Sequence, residues 1–284
     1  MLQQILNGLT LGGIYALIAL GYTMSYGIIK LINFAHGDIF MVGAFAGLFV
    51  IATFTSNFLA VIVIAMAVCA LLGFIVEKTA YIPLREGSPV NMIFTAFMLM
   101  VILLIAYLSR YHVKTVLTSV TFWVGLVLFV LFIAWLVRGR IKSGGRTNSS
   151  RINALISAIG MSIIISNMVV IIYGPKRAIF PQIIKFGEIN VGQITVSGLQ
   201  IFIIAASVAL MYMLYYIVHK TKVGIAMRAV SQNMDTARLM GINPNKVIGF
   251  TFALGASLAG AAGVLVGVFY TVSDPTMGGM YGMK

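Results

Sequence analysis

Phe58–Val76 reads FLAVIVIAMAVCALLGFIV, without one Asp, Glu, Lys, Arg or His. A run of that length is what an α-helix needs to cross a hydrocarbon core about 30 Å thick at ~1.5 Å per residue. The pattern recurs along the chain. Ile5–Ile29, Ile39–Phe54, Met92–Leu108, Val116–Val137, Ile152–Tyr173, Gly198–Val218 and Val247–Tyr270 are equally free of charge. All 19 Lys and Arg, 6 Asp and Glu and 3 His lie between or beyond these stretches. With 61% hydrophobic and 9% charged residues, the 284-residue chain lacks the polar surface that a water-soluble protein needs. Only closed backbone hydrogen bonding crosses lipid, so the expected fold is all-α, a polytopic transmembrane bundle of about eight spans. Drawn this way, the spans hold no acid or His, which argues against a proton relay through the bilayer.

Charge asymmetry sets the orientation. If the uncharged N-terminus lies outside and the spans alternate, Lys30, Lys78, Arg85, Arg138, Arg140, Lys142, Arg146, Arg151, Lys220, Lys222, Arg228, Arg238 and Lys246 face inside. Only Arg110, Lys114, Lys176, Arg177, Lys185 and Lys284 then face outside. The excess favours the N-terminus outside. The net charge of +13 suits anionic head groups of the lipid bilayer and calls for no nucleic-acid partner. No basic run precedes the first apolar stretch, so that stretch is expected to be a true span and not a secretory leader. Cys69 is the single cysteine, which excludes a disulfide within the chain.

The spans differ in kind. Gly8 and Gly12 in the first, and Gly263 and Gly267 in the last, are four residues apart, the spacing that lets helix backbones approach in lipid. Met92–Leu108 and Val116–Val137 are instead bulky, with Gly125 their single glycine, and are expected to face lipid.

Two polar stretches interrupt the apolar pattern. KLINFAHGD brings Asn33, Ala35, His36, Gly37 and Asp38 into one short connection. His36 and Asp38 are too few ligands for a metal site, and no nucleophile with an orienting partner stands near them, so neither a metal site nor a catalytic residue is expected. Two readings stay open. Asn33 or Asp38 caps a helix with a break near Gly37, or a broken helix at membrane depth exposes these residues to a translocation pathway. The second stretch is HKTKVGIAMRAVSQNMDTARLMGINPNK, His219–Lys246. Its middle, Gly224–Met240, is predicted as one helix ended by Gly241 and Pro244. It suits either the membrane surface or a cytoplasmic partner. Lys78, Lys114, Lys142 and Lys220 precede Ser or Thr, but none follows Gly, so the chain has no phosphate-cradling loop and is not expected to be an enzyme.

INFAHGD at Ile32–Asp38, RINALISAIGMSI at Arg151–Ile163 and MRAVSQNMDTARLMGIN at Met227–Asn243 stand in that order. With NGLTLGGIYALIALGYTMSYGI near the start and FTFALGASLAGAAGVLVG near the end, they resemble the permease subunits of ABC importers for branched-chain amino acids. The resemblance is to the H-type of the two paired permeases and covers about residues 1–85 and 151–284. It implies one half of a heterodimeric pathway in the bacterial plasma (inner) membrane. The implied partners are a second permease subunit, two cytoplasmic ATPase subunits that use ATP-Mg, and an external substrate-binding protein, with no cofactor in this chain. It also implies that Arg228, Asp235, Ala237, Gly241, Asn243 and Pro244 belong to a coupling loop facing an ATPase.

Two departures stand out against that pattern. The resemblance implies a single permease domain over 1–284, expected to be interrupted by an inserted two-span hairpin at about 86–150 that includes the basic tract RGRIKSGGR, and to lack the family's C-terminal part beyond GGMYGMK. The alternatives are a permease for urea or short amides, and a sodium-coupled carrier, channel or non-transporting remnant. A self-sufficient carrier is expected to show an internal repeat, and none is convincing here.

Overall fold

The structure, a computed structural model, describes residues 2–55, 57–81, 149–181, 187–191 and 194–282. The expected spans Met92–Leu108 and Val116–Val137, and nearly all of the hairpin at 86–150, lie outside the described residues. The helices are α1 (Leu2–Ile29), α2 (Ala35–Thr53), α3 (Phe58–Val76), α4 (Ser149–Tyr173), α5 (Gly198–Lys220), α6 (Lys222–Gln232), α7 (Met234–Leu239), α8 (Pro244–Tyr270) and α9 (Met277–Gly282). A π-helical turn, Glu77–Tyr81, prolongs α3. Four short strands pair in the connections. β1 (Ala178–Ile179) runs antiparallel to β4 (Val272–Ser273), and β2 (Glu188–Val191) antiparallel to β3 (Ile194–Ser197).

Among the described residues, five helices are long and apolar enough to cross a membrane: α1, α2, α3 with its π turn, α5 and α8. Ala158–Tyr173 of α4 adds a shorter apolar stretch. The protein is a polytopic helical membrane protein. Local chemistry closes several helix ends. Asn57 caps α3 by accepting the Leu59 amide, and Ser197 with Gln200 forms a capping box at α5. α1 stops at Lys30, whose φ of 56° lies in the left-handed region. The break between the first two spans therefore falls at 30–34, and not near Gly37, which is helical.

α8 occupies the centre, packed by α1, α2 and α3. Its span is 78% buried, whereas the span containing α3 is only 33% buried although it is the more apolar of the two. Lipid tails are as apolar as Leu, so apolarity does not draw a helix inward; close packing does. A Cβ on Gly43 would lie 2.5 Å from the Cα of Gly260, and one on Gly255 would lie 2.6 Å from the Gly21 carbonyl oxygen. A Cβ on Gly263 would run into the Phe40 carbonyl, and one on Gly267 would lie 2.6 Å from the Phe180 ring. A Cβ on Gly8 or Gly12 would meet nothing within 4 Å.

Beyond the C-terminal end of α8, β1 and β4 tie two distant connections together. Arg177 Nε donates to Asp274 Oδ2 at 2.8 Å, and Asp274 Oδ1 accepts from the Thr276 amide and hydroxyl at 2.9 and 2.7 Å. Phe180 is buried below the pair against Gly267.

Two outcomes follow. Gly43→Val should lose about 1–3 kcal/mol through overpacking, whereas Gly8→Val should stay within about 0.5 kcal/mol of the parent. Thermal unfolding in detergent checks both, and equal losses would contradict the packing described. The bonds from Thr276, aided by Arg177, hold the Asp274 carboxyl below its usual value of 3.8. A lowered folded value means that this contribution is complete above the ordinary carboxylate range and fades as pH falls through the lowered value. The β1–β4 tie should therefore be unchanged between about pH 7 and pH 5 and weaken only below about pH 4. Hydrogen exchange of the Phe180 amide, which donates to the Thr271 carbonyl at 2.9 Å, is followed against pH with Asp274→Asn as the insensitive control.

Candidate functional site

The stretch INFAHGD folds inward. Asn33 Oδ1 accepts the Ala35 amide at 3.1 Å and its backbone carbonyl accepts the His36 amide at 3.1 Å, so Asn33 closes the start of α2. Ala35, His36, Gly37 and Asp38 then form the first turn of that helix, all buried. A carboxylate there is favoured by the positive end of the helix dipole. Ser162 and Ser166, one turn apart on α4, each donate to Asp38: Ser166 to Oδ1 at 2.7 Å, Ser162 to Oδ2. From the opposite side, α9 brings Gly278 so close that a Cβ there would lie 2.6 Å from Asp38 Oδ1. Asp38 is 4% exposed, and among the described residues no Lys or Arg pairs with it.

This cluster lies deep in the bundle. A Cβ on Gly21 would be 2.9 Å from the His36 ring and 2.6 Å from the carbonyl of Gly255, which is near the midpoint of α8. Ser162 and Ser166 likewise lie in the middle part of α4. The expectation of spans without acid or His is thereby corrected. Apolar windows end at the first charge, but the helix continues through His36 and Asp38 because buried hydroxyls satisfy the carboxylate. Glu77, fully buried in the π turn, is a second acid within a span.

Other buried polar groups lie around the crossing of α1, α2 and α8. His36 Nε2 and Tyr81 Oη are buried without a hydrogen-bond partner among the described residues. Tyr22 meets His36 edge-on at 5.8 Å between ring centroids, and Tyr81 packs on Phe252 at 5.0 Å. The chemistry available is charge, hydroxyls and backbone carbonyls, which suits holding a solute rather than transforming it.

The second candidate is the α6–α7 connection. One helix was expected over Gly224–Met240; two are found. Asn233 adopts an extended conformation with φ −153°, and its side chain accepts the Asp235 and Thr236 amides at 2.9 and 3.1 Å, restarting the helix as α7. Gly241, φ +80°, ends α7, its amide donating to the Arg238 carbonyl at 3.0 Å. Asn243 caps α8, and Pro244 is buried at its start, so Pro244 opens a helix and does not close one. Arg228 turns back to donate to the Val218 carbonyl at 2.8 Å.

Ala237 is 4% exposed and faces the chain's own core. The outward surface is formed by Asp235 and Arg238, 3.8 Å apart, and by Leu239 and Met240, 87% and 78% exposed. A depression beside them is lined by Arg238, Gly241, Ile242, Asn243, Pro244 and Asn245. Leu239 and Met240 were not singled out from sequence. Their adjacency to a helix-ending glycine was the available signal, because residues there leave the helical face.

Comparison with known proteins agrees with this architecture. A family model described as branched-chain amino acid transport system / permease component matches residues 4–284. The chain is 30% identical over 295 residues to the high-affinity branched-chain amino acid transport system permease protein BraD of Pseudomonas aeruginosa. It is 32% identical over 300 residues to the proteins named LivH of Salmonella typhimurium and Escherichia coli. Each alignment covers 100% of this chain and 76% of the relative. No solved structure matches. The match over almost the whole chain places this protein in the family of branched-chain amino acid transport permease components.

Proposed function

We propose that the chain is the membrane-spanning permease subunit of an ATP-driven importer for branched-chain amino acids in a bacterial plasma (inner) membrane. It works beside a second permease subunit. Two cytoplasmic ATPase subunits hydrolyse ATP-Mg, and an external binding protein delivers substrate. Placing the N-terminus outside puts the α6–α7 connection in the cytoplasm, in keeping with its Lys220, Lys222, Arg228 and Arg238.

The observation that carries the coupling step is the Leu239–Met240 pair. Two large apolar side chains stand almost fully exposed at the end of a short helix whose two ends are closed by Asn233 and Gly241. Apolar groups presented this way suit a groove on a partner. The residues between α7 and α8 are few, and α8 is the helix on which α1, α2 and α3 rest. Displacement of α7 by an ATPase therefore reaches α8 through a stiff link. At Gly255 it reaches Gly21 and His36, next to Asp38. Asn33, Ala35, His36, Gly37 and Asp38 are proposed to line or gate the route, with Arg228, Asp235, Ala237, Gly241, Asn243 and Pro244 shaping the coupling loop.

Leu239→Asp with Met240→Asp should lower leucine uptake by about tenfold or more in vesicles containing the partner subunits, without loss of membrane-inserted protein. This pair is a cleaner test than Gly241→Arg, whose left-handed backbone would add about 1–2 kcal/mol of local strain. Uptake at the parental rate removes the coupling assignment. Failure of leucine-loaded binding protein to stimulate ATPase activity in the unaltered complex removes the importer reading.

A further inference from the structure

We propose that Asp38, Ser162, Ser166 and the Gly37 carbonyl form an occluded site for a primary ammonium group. A carboxylate at this depth is costly to keep charged, and residues of this kind within spans pair with an opposite charge or face a solute path. Asp38 is 4% exposed, and among the described residues no cationic side chain lies at ion-pair distance. Ser162 and Ser166 satisfy part of each carboxylate oxygen's accepting capacity and fix the orientation of the group. They bring no positive charge.

The acceptors converge. The point that a Cβ on Gly278 would occupy is 2.6 Å from Asp38 Oδ1 and 3.0 Å from the Gly37 carbonyl oxygen. The second is a hydrogen-bonding distance for a charged nitrogen donor, and the first falls just short of the usual range of about 2.7–2.9 Å, so the nitrogen would sit slightly further from the carboxylate than that point. An ammonium nitrogen placed there would donate to a carboxylate and a carbonyl at once. In the present structure the Gly278 backbone closes that position, so access requires α9 to withdraw from α2. A purely mechanical tie between α2 and α4 needs hydrogen bonds but no net charge; a buried carboxylate with no cationic partner among the described residues is what points to a cation site. Identification of the cation as the amino group of the transported solute rests on the importer reading. The existence of the site does not.

The test uses the full chain in membranes with its partner subunits. Dicyclohexylcarbodiimide labelling of Asp38 is followed by mass spectrometry, with isoamylamine as the cationic probe and isocaproate as its carboxylate counterpart. At about ten times its Kd, isoamylamine should slow labelling roughly tenfold, and isocaproate should have no effect. Ser162→Ala and Ser166→Ala should keep the label while weakening the amine's protection, and Asp38→Asn should remove the label. Equal labelling with and without the amine overturns the proposal, as does equal protection by isocaproate. A carboxyl that never labels is sealed from solutes and overturns it too. Leucine uptake is measured on the same membranes. Protection without uptake keeps the ammonium site and removes the importer reading, whereas uptake without protection does the reverse.

Discussion

Backbone contact between α8 and its neighbours is possible only because Gly255, Gly260 and Gly263 present no side chain toward Gly21, Gly43 and the Phe40 carbonyl. That contact sets the spacing of α1, α2 and α3 around one helix, and the remaining features take their positions from it. In water, such a helix would be buried by being the most apolar. Here the most buried helix is less apolar than α3, since lipid competes equally well for Leu and Ile, and steric fit decides what lies inside.

The same crossings connect the two candidate sites. Gly255 touches Gly21, and His36 touches Gly21, so a shift of α8 is felt at the first turn of α2. At its other end α8 begins at Asn243, immediately after Gly241 closes α7. α8 thus lies between the connection that follows the exposed Leu239–Met240 pair and Gly21, which neighbours the His36 ring.

Burial of Asp38 needs three elements distant in sequence. α2 supplies the carboxylate at its own N-terminus, α4 supplies two hydroxyls a turn apart, and α9 closes the third side with Gly278. Polar groups in such a setting keep a charge only where every neighbour cooperates. Ser162 and Ser166 carried no special signal in the sequence. Serines at that spacing are common in apolar helices, and their role appears only when Asp38 is packed against them.

Charge-free runs such as Phe58–Val76 were enough to identify a membrane protein and to place most helices, because the energetic penalty for unpaired backbone and charge in lipid is severe. The quoted motifs were enough to point to the family. Helix ends were less legible. The α2 boundary depends on whether Asp38 finds partners, and the α6–α7 break depends on Asn233 capping a new helix. Of the two glycine pairs, Gly263/Gly267 packs against Phe40 and Phe180 while Gly8/Gly12 meets nothing within 4 Å, although both have the same spacing. Composition sets the solvent that each segment prefers. Which face meets another helix, and which acid finds hydroxyls, is a property of how the segments are brought together, and that was decided by the tertiary structure alone.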